Sequence, residues 1–347
     1  MIPRIRTICL YALVLPMLYC TSLWAAPTIK ADLNGAGATF PAPLYQHWIK
    51  QFAATSPGFT ISYAEVGSGE GIKRFLAETV DFGASDTAMN DTEAAQARHG
   101  VQFIPATAGI VVLAYNLPNV DKPLRLSRKV YVDIFLGNIR KWDDARIAAL
   151  NPEIKLPDLN ITTVVRADSS GTTWTFTNHL QAISPRWKDA GFMAAKKIDW
   201  PGNSMSVNYN EGVANRILHS WGAIGYVEYG VASRAGLPMA ILENKDGHYV
   251  PPSVESGMAA LANNAPQLPT NLRLFIPDPA GAGAYPISSY SWLLLHQRYP
   301  NPQQGERIKK FVDWCLKEGQ KYAVQLGYTP LPQAVSAKAV QALDQVR

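Results

Sequence analysis

The sequence predicts an α/β protein built as two lobes. Three observations carry this. Apolar residues alternate along the chain between a period of two and a period near 3.6, as strands and helices require. Three turns rich in glycine and hydroxyls each sit where a strand hands over to a helix. Composition shifts near Pro105 and across Phe275 to Ala284 mark two places where the chain crosses between lobes. With 347 residues and 47% hydrophobic content, the chain holds one large domain or two of ordinary size.

The first residues read as an export signal, residues 1–26. Arg4 and Arg6 precede the apolar run Ile8 to Leu18, and Ala25 and Ala26 supply small residues for a cut. The run is too short for a membrane anchor and is broken by Pro16. Leu18-Tyr19-Cys20 puts a bulky residue where a lipoprotein needs a small one. Leu44, Trp48 and Phe52 then recur at helical spacing. Phe59 to Val66 alternates like a strand, and Ile72, Phe75, Leu76 and Val80 share one face of the helix that follows. Asp81 to Asp86 reads as a short strand with a polar tip, and Gly109 to Tyr115 as a buried strand. Ser127 caps a helix carrying Val130, Ile134 and Phe135, which Gly137 stops. Ile161 to Arg166 is a strand running into a helix with Phe176, Leu180 and Ile183. Tyr290 to Leu295 is a strand, and Ile308, Phe311, Val312, Cys315 and Leu316 mark a strongly amphipathic helix. If the chain crosses at both composition shifts, residues 27–105 plus 276–347 form one lobe and 106–275 the other.

Charge and cysteines exclude several classes. The net charge of +5 falls to +3 once Arg4 and Arg6 leave with the export segment. The remaining Lys and Arg are scattered, which gives no support to nucleic-acid binding. Cys9 and Cys20 leave as well, so Cys315 stands alone on an apolar helix face, a buried inert thiol with no disulfide partner. The six histidines show no metal-ligand spacing. There is no Gly-x-Ser-x-Gly elbow, no Gly-Lys-Ser/Thr phosphate loop and no complete dinucleotide fingerprint, because Phe40 stands where its last glycine belongs. No cofactor is implied.

What remains are the three turns: Gly35-Ala36-Gly37-Ala38-Thr39-Phe40-Pro41, Gly67-Ser68-Gly69-Glu70-Gly71 and Arg166-Ala167-Asp168-Ser169-Ser170-Gly171-Thr172. Backbone N–H groups at a helix start lack internal partners and sit at the positive end of its dipole. Three such starts can enclose one small oxyanion by neutral donors. Arg166 ends a strand, and its planar fork suits an oxyanion or a carboxylate. Asp168 lies two residues on, on the same side, and can orient it. Simple capping by Asp168 or Ser169 accounts for one or two of these residues and not for all. Asp86 carries a sharper reading beside its capping alternative. A carboxylate only accepts hydrogen bonds, so it repels a fully deprotonated anion and welcomes one that keeps a proton. Phosphate keeps such a proton and sulfate does not, so an acid in this pocket selects by penalising the wrong guest.

At these residues the chain closely resembles the phosphate-binding proteins of bacterial high-affinity phosphate ABC transporters. Gly35 to Pro43, Val80 to Asp86, Lys141-Trp142-Asp143-Asp144, Arg166 to Thr172, Gly222 to Tyr229 and Phe311 to Leu331 all match, in order, over nearly the whole mature chain. The resemblance implies a two-lobed periplasmic binding protein of type II-like fold, with ligand in the interlobe cleft and a hinge crossed by two strands. It implies an exported, monomeric, non-enzymatic receptor in the periplasm, whose partners are inorganic phosphate, membrane permease subunits and their ATPase. Its ligand contacts fall on Thr39, Phe40 (through its backbone N–H), Ser68, Asp86, Arg166, Asp168, Ser170, Gly171 and Thr172. Asp168 then partners the arginine and Asp86 receives the phosphate proton. Glu70 departs from the family's small pair and is expected to point outward. The stretch Gly202 to Tyr209 and the loop Leu242 to Pro269 match nothing. Other readings stay open: a receptor for sulfate or molybdate, or a secreted phosphatase or adhesion protein on the same fold.

Overall fold

The computed structural model describes residues 32–347. The expected export segment 1–26, with Cys9 and Cys20, lies outside them. The chain first runs β1 (Leu33–Gly37), α1 (Ala42–Thr55), β2 (Ile61–Glu65), α2 (Ser68–Leu76), β3 (Phe82–Ser85), α3 (Asp91–Ala94) and β4 (Val101–Asn116). It continues with β5 (Arg125–Leu126), α4 (Arg128–Phe135), α5 (Ala145–Ala148), β6 (Thr162–Arg166), α6 (Gly171–Ile183), α7 (Pro185–Asp189), β7 (Ser204–Val207), α8 (Tyr209–Leu218), β8 (Ala223–Glu228) and α9 (Tyr229–Arg234). The last part holds β9 (Ile241–Glu243), β10 (Tyr249–Val250), α10 (Val254–Ala262), β11 (Ser288–His296), α11 (Pro302–Lys317) and α12 (Gln333–Leu343).

Eight strands form a mixed sheet in the order β2-β1-β3-β11-β4-β8-β6-β7, and β10-β9-β5 form a small second one. β1 pairs parallel with β2 and β3, and β6 pairs parallel with β7 and β8. The long strand β4 joins these two halves. Its first part runs antiparallel to β11, from Val101 opposite His296 to Ile110 opposite Ser288. Its last part runs antiparallel to β8, from Val111 opposite Glu228 to Asn116 opposite Ala223. Pro105 lies inside β4, not at a break between elements. It sits opposite Trp292 where the register shifts, and a residue without an N–H is tolerated at such an irregularity. The chain returns through 277–287 into β11. Before that, α10 packs on β4 and β11, and Trp292 Nε1 donates to the Leu272 carbonyl at 2.7 Å.

The helices follow from their patterns. Leu44, Trp48 and Phe52 are buried on α1, and Trp48 Nε1 donates to the Gly319 carbonyl at 2.8 Å. Ile72 and Phe75 are buried on α2, but this helix ends at Leu76 and Val80 is buried from the turn beyond it. Glu78 takes a left-handed conformation there (φ 54°), which no helix continues through. Ser127 Oγ caps α4 by accepting from Val130 N, and Gly137 (φ 73°) follows its end. Trp142 Nε1 donates to the Gly222 carbonyl at 2.9 Å, tying together two of the matching segments. Cys315 is buried on α11, and burial pushes its thiol well up. Among the described residues, no helix is long and apolar enough to cross a membrane.

Candidate functional site

Three strands end at one place. β6 runs opposite to β1 and β3 in the sheet, and beyond the carboxyl ends of these strands, where open α/β sheets place their ligands, stand Thr39 and Phe40, Asp86, and Arg166. The starts of α2 and α6 meet there. Gly69 N donates to the Ser169 carbonyl at 2.9 Å across the two turns. Two glycines permit this approach. Gly67, at φ 87°, precedes α2, and a β-carbon on it would lie 2.5 Å from Asp168 Oδ2. A β-carbon on Gly171 would lie 2.3 Å from Ser68 Oγ and 2.6 Å from Asp86 Oδ2. The turn before α6 therefore rests directly on the α2 start and the β3 tip.

All nine residues expected in the site converge here. Thr39, Phe40, Ser68, Asp86, Arg166, Ser170 and Thr172 are almost wholly buried, Gly171 is buried with them, and Asp168 is largely covered. Arg166 is held edge-on by Asp168, with Nε donating to Oδ1 at 2.7 Å and Nη2 to Oδ2 at 2.5 Å. This two-pronged pairing fixes the guanidinium plane and leaves Nη1 outside the pair. Nη1 donates weakly to Thr172 Oγ1 at 3.4 Å. Tyr209 N adds a hydrogen bond to Asp168 Oδ1, and Tyr226 accepts from Arg166 N. Ser170, not Asp168 or Ser169, caps α6 by accepting from Thr173 N at 3.1 Å. Its own proton stays available.

The backbone donors are the larger feature. Among the described residues, the N–H groups of Thr39, Phe40, Ser68, Gly171 and Thr172 find no acceptor in the protein. A buried N–H left alone costs about 1–3 kcal/mol, so five on three adjoining turns are a strong demand for an anionic acceptor. With Arg166 Nη1 they give these adjoining turns one dominant polarity.

Asp86 is its exception. Ser291 Oγ donates to Oδ1 at 2.7 Å, and Ser68 Oγ stands 3.4 Å from Oδ2 while accepting from Asp86 N at 3.1 Å. Burial pushes the carboxyl up to about 7, against the pull of Ser291, Arg166 and Ser68. Near neutral pH this group therefore exchanges between acceptor and donor. Glu70 points away, paired with Arg74 at 2.9 Å on the exposed side of α2, as expected.

Sequence reasoning missed Asn210, Ser291 and Tyr226. Asn210 is fully buried at the start of α8, and Nδ2 donates to Thr39 Oγ1 at 3.0 Å and to Thr172 Oγ1 at 3.3 Å. It follows the unmatched stretch Gly202 to Tyr209, which forms β7 and then Tyr209 at φ 67°. Nothing local announces these three. Each reaches the site from a distant segment through the sheet order.

The family described as PBP superfamily domain matches residues 25–318. The phosphate-binding protein PstS of Pasteurella multocida is 38% identical over 328 residues, covering 94% of this chain and 93% of that protein. The phosphate-binding protein PstS of Methanocaldococcus jannaschii is 35% identical over 338 residues, covering 91% and 86%. Among solved structures, a high-affinity periplasmic phosphate-binding protein, PfluDING, bound with phosphate, superposes with a TM-score of 0.72 at 21% identity, covering 88% of this chain and 92% of that one. A phosphate-binding protein from Stenotrophomonas maltophilia gives 0.70 at 23% identity, covering 90% and 93%. The α/β two-lobed fold expected from the sequence is the fold of these structures.

Proposed function

The chain belongs to the family of PstS phosphate-binding proteins, and from that premise we propose that it captures inorganic phosphate in the periplasm and delivers it to an ABC-type phosphate permease driven by a separate ATPase. The observation that carries the reading is the set of buried N–H groups without a protein acceptor on the turns beside Arg166, with Asp86 as the acid there that no cation pairs. Such a set supplies an oxyanion with neutral donors and a single fixed charge, and it asks the anion for one proton in return.

In this account Thr39, Phe40, Ser68, Arg166, Ser170, Gly171 and Thr172 donate to phosphate oxygens. Asp168 holds Arg166, and Asp86 accepts the proton that phosphate retains. Residues 27–105 plus 276–347 are one lobe and 106–275 the other, with β4 as one connection and 277–287 as the second. The loop before 275 leans back on the first lobe through Leu272 and Arg273. The anion touches the turns after β1 and β3 on one lobe and the turn after β6 on the other. It therefore binds the closed arrangement better than any open one, and that difference drives closure. The protein acts as an exported, monomeric receptor with its signal removed and performs no catalysis.

Titration calorimetry of the mature chain against phosphate, sulfate, arsenate and molybdate tests the reading. Phosphate is expected to bind one to one and to raise the melting temperature, since a ligand bound only by the folded state stabilises it. Equal or tighter binding of sulfate would assign the chamber to another anion. Release of product from a chromogenic phosphate ester would assign it to an enzyme.

A further inference from the structure

We infer that Asn210 is a positioning residue that turns the Thr39 and Thr172 hydroxyl protons toward the bound anion. This rests on the phosphate reading above. The orientation of the Asn210 amide is fixed by chemistry. Glu228 N donates to its oxygen at 3.2 Å. A backbone N–H only donates, so the atom facing it is Oδ1 and the other is the amide nitrogen. That nitrogen carries two protons. It lies 3.0 Å from Thr39 Oγ1 and 3.3 Å from Thr172 Oγ1.

Both hydroxyl oxygens are thus acceptors toward Asn210, and each has one proton that must turn elsewhere. Arg166 Nη1 donates to the same Thr172 oxygen, which closes the other way round. Among the described residues neither hydroxyl proton has an acceptor in the protein. Thr39, Thr172 and Asn210 are all buried, so water does not supply one cheaply. The amide therefore propagates the donor polarity of the Glu228 N–H through two hydroxyls into the chamber. It also spans the two sides, because Thr39 follows β1 and Thr172 belongs to α6. Tyr209 just before it holds a left-handed conformation and donates its N–H to Asp168. A non-glycine residue held there stores strain, and the strained turn aims Asn210 while bracing the partner of Arg166.

Asn210→Asp tests the polarity directly. It keeps the shape and the Glu228 bond, but its second oxygen accepts and turns both hydroxyl protons inward to itself. Phosphate affinity at pH 8 should fall ~100-fold or more, from two lost donors and an added charge. Asn210→Ala should cost about tenfold in the otherwise unchanged protein and less than about twofold in a Thr39→Val/Thr172→Val background, because residues acting through one another are not additive. If the alanine variant does not fold by far-ultraviolet dichroism, Asn210→Ser takes its place in the same cycle. Wild-type affinity in Asn210→Asp, or the same fold-loss in both backgrounds, would overturn the role assigned to Asn210. A wild-type chain that gives no phosphate binding at all would instead overturn the phosphate reading on which this one stands.

Discussion

Lowering the pH should open the site to sulfate, and the size of the effect follows from Asp86. Sulfate carries no proton over the accessible pH range, so it meets the carboxylate as acceptor against acceptor. Apposing like charges in a buried contact costs several kcal/mol, enough to make the ionised form effectively closed to sulfate. The neutral acid has an O–H to donate and is open to it. With the carboxyl titrating at about 7, the neutral fraction is about 0.1 at pH 8 and about 0.9 at pH 6. An apparent affinity scales with the competent fraction, so sulfate binding should strengthen roughly ninefold between pH 8 and pH 6. Calorimetric titration of sulfate at the two pH values, with phosphate removed, measures it. Asp86→Asn, which donates at every pH, should bind sulfate more tightly than the wild type at pH 8 and show a flat pH profile. A wild-type sulfate affinity equal at both pH values, or an Asp86→Asn variant that rejects sulfate as well as its parent, would refute the proton-reading role.

Three further outcomes are expected. Because burial raises Asp86, the folded chain holds a proton that the unfolded chain has released between about pH 4 and pH 7; unliganded stability should therefore fall across that window as pH rises, by up to about 4 kcal/mol, and thermal melts of Asp86→Asn should lack this component. Arg166→Ala leaves Asp168 without its partner and the anion without its fixed charge, so phosphate binding should drop ~1000-fold or more and stability by about 3–5 kcal/mol, read by calorimetry and urea melts. Retained affinity would mean the chamber is misplaced. Gly171→Ala sets a methyl group against Ser68 Oγ and Asp86 Oδ2, so it should hold the α6 turn away from α2 and abolish phosphate binding while the fold, by dichroism, persists.

The legible parts of this protein were those whose chemistry is local. The turns at Gly35, Gly67 and Arg166 each carry in a few consecutive residues the glycines, hydroxyls and helix start that an anion needs. The spacing of Leu44, Trp48 and Phe52 states which face of α1 is buried. Asp168 sits next but one to Arg166, and their pairing is readable from the strand period alone. The resemblance to phosphate-binding proteins then implied Thr39, Phe40 and Ser68 as contacts, while Asp86 had already been read as the acceptor of a retained proton. Asn210, Ser291 and Tyr226 were not readable because their neighbours in sequence say nothing about an anion. Ser291 lies on β11, which reaches Asp86 only because that strand inserts between β3 and β4. A change of lobe was expected near Pro105, and that residue stands inside the long strand β4, opposite Trp292 where the register shifts and no N–H is needed. Val80 kept its helical spacing beyond a helix that had already stopped, since burial can be met from a turn as well.

The most direct test of the central claim is a crystal structure of the mature chain grown with phosphate. One anion should lie within hydrogen-bond distance of the Phe40, Gly171 and Thr172 N–H groups and Arg166 Nη1, with one oxygen against Asp86. An anion bound elsewhere on the protein, with these N–H groups taken up by ordered water, would contradict it.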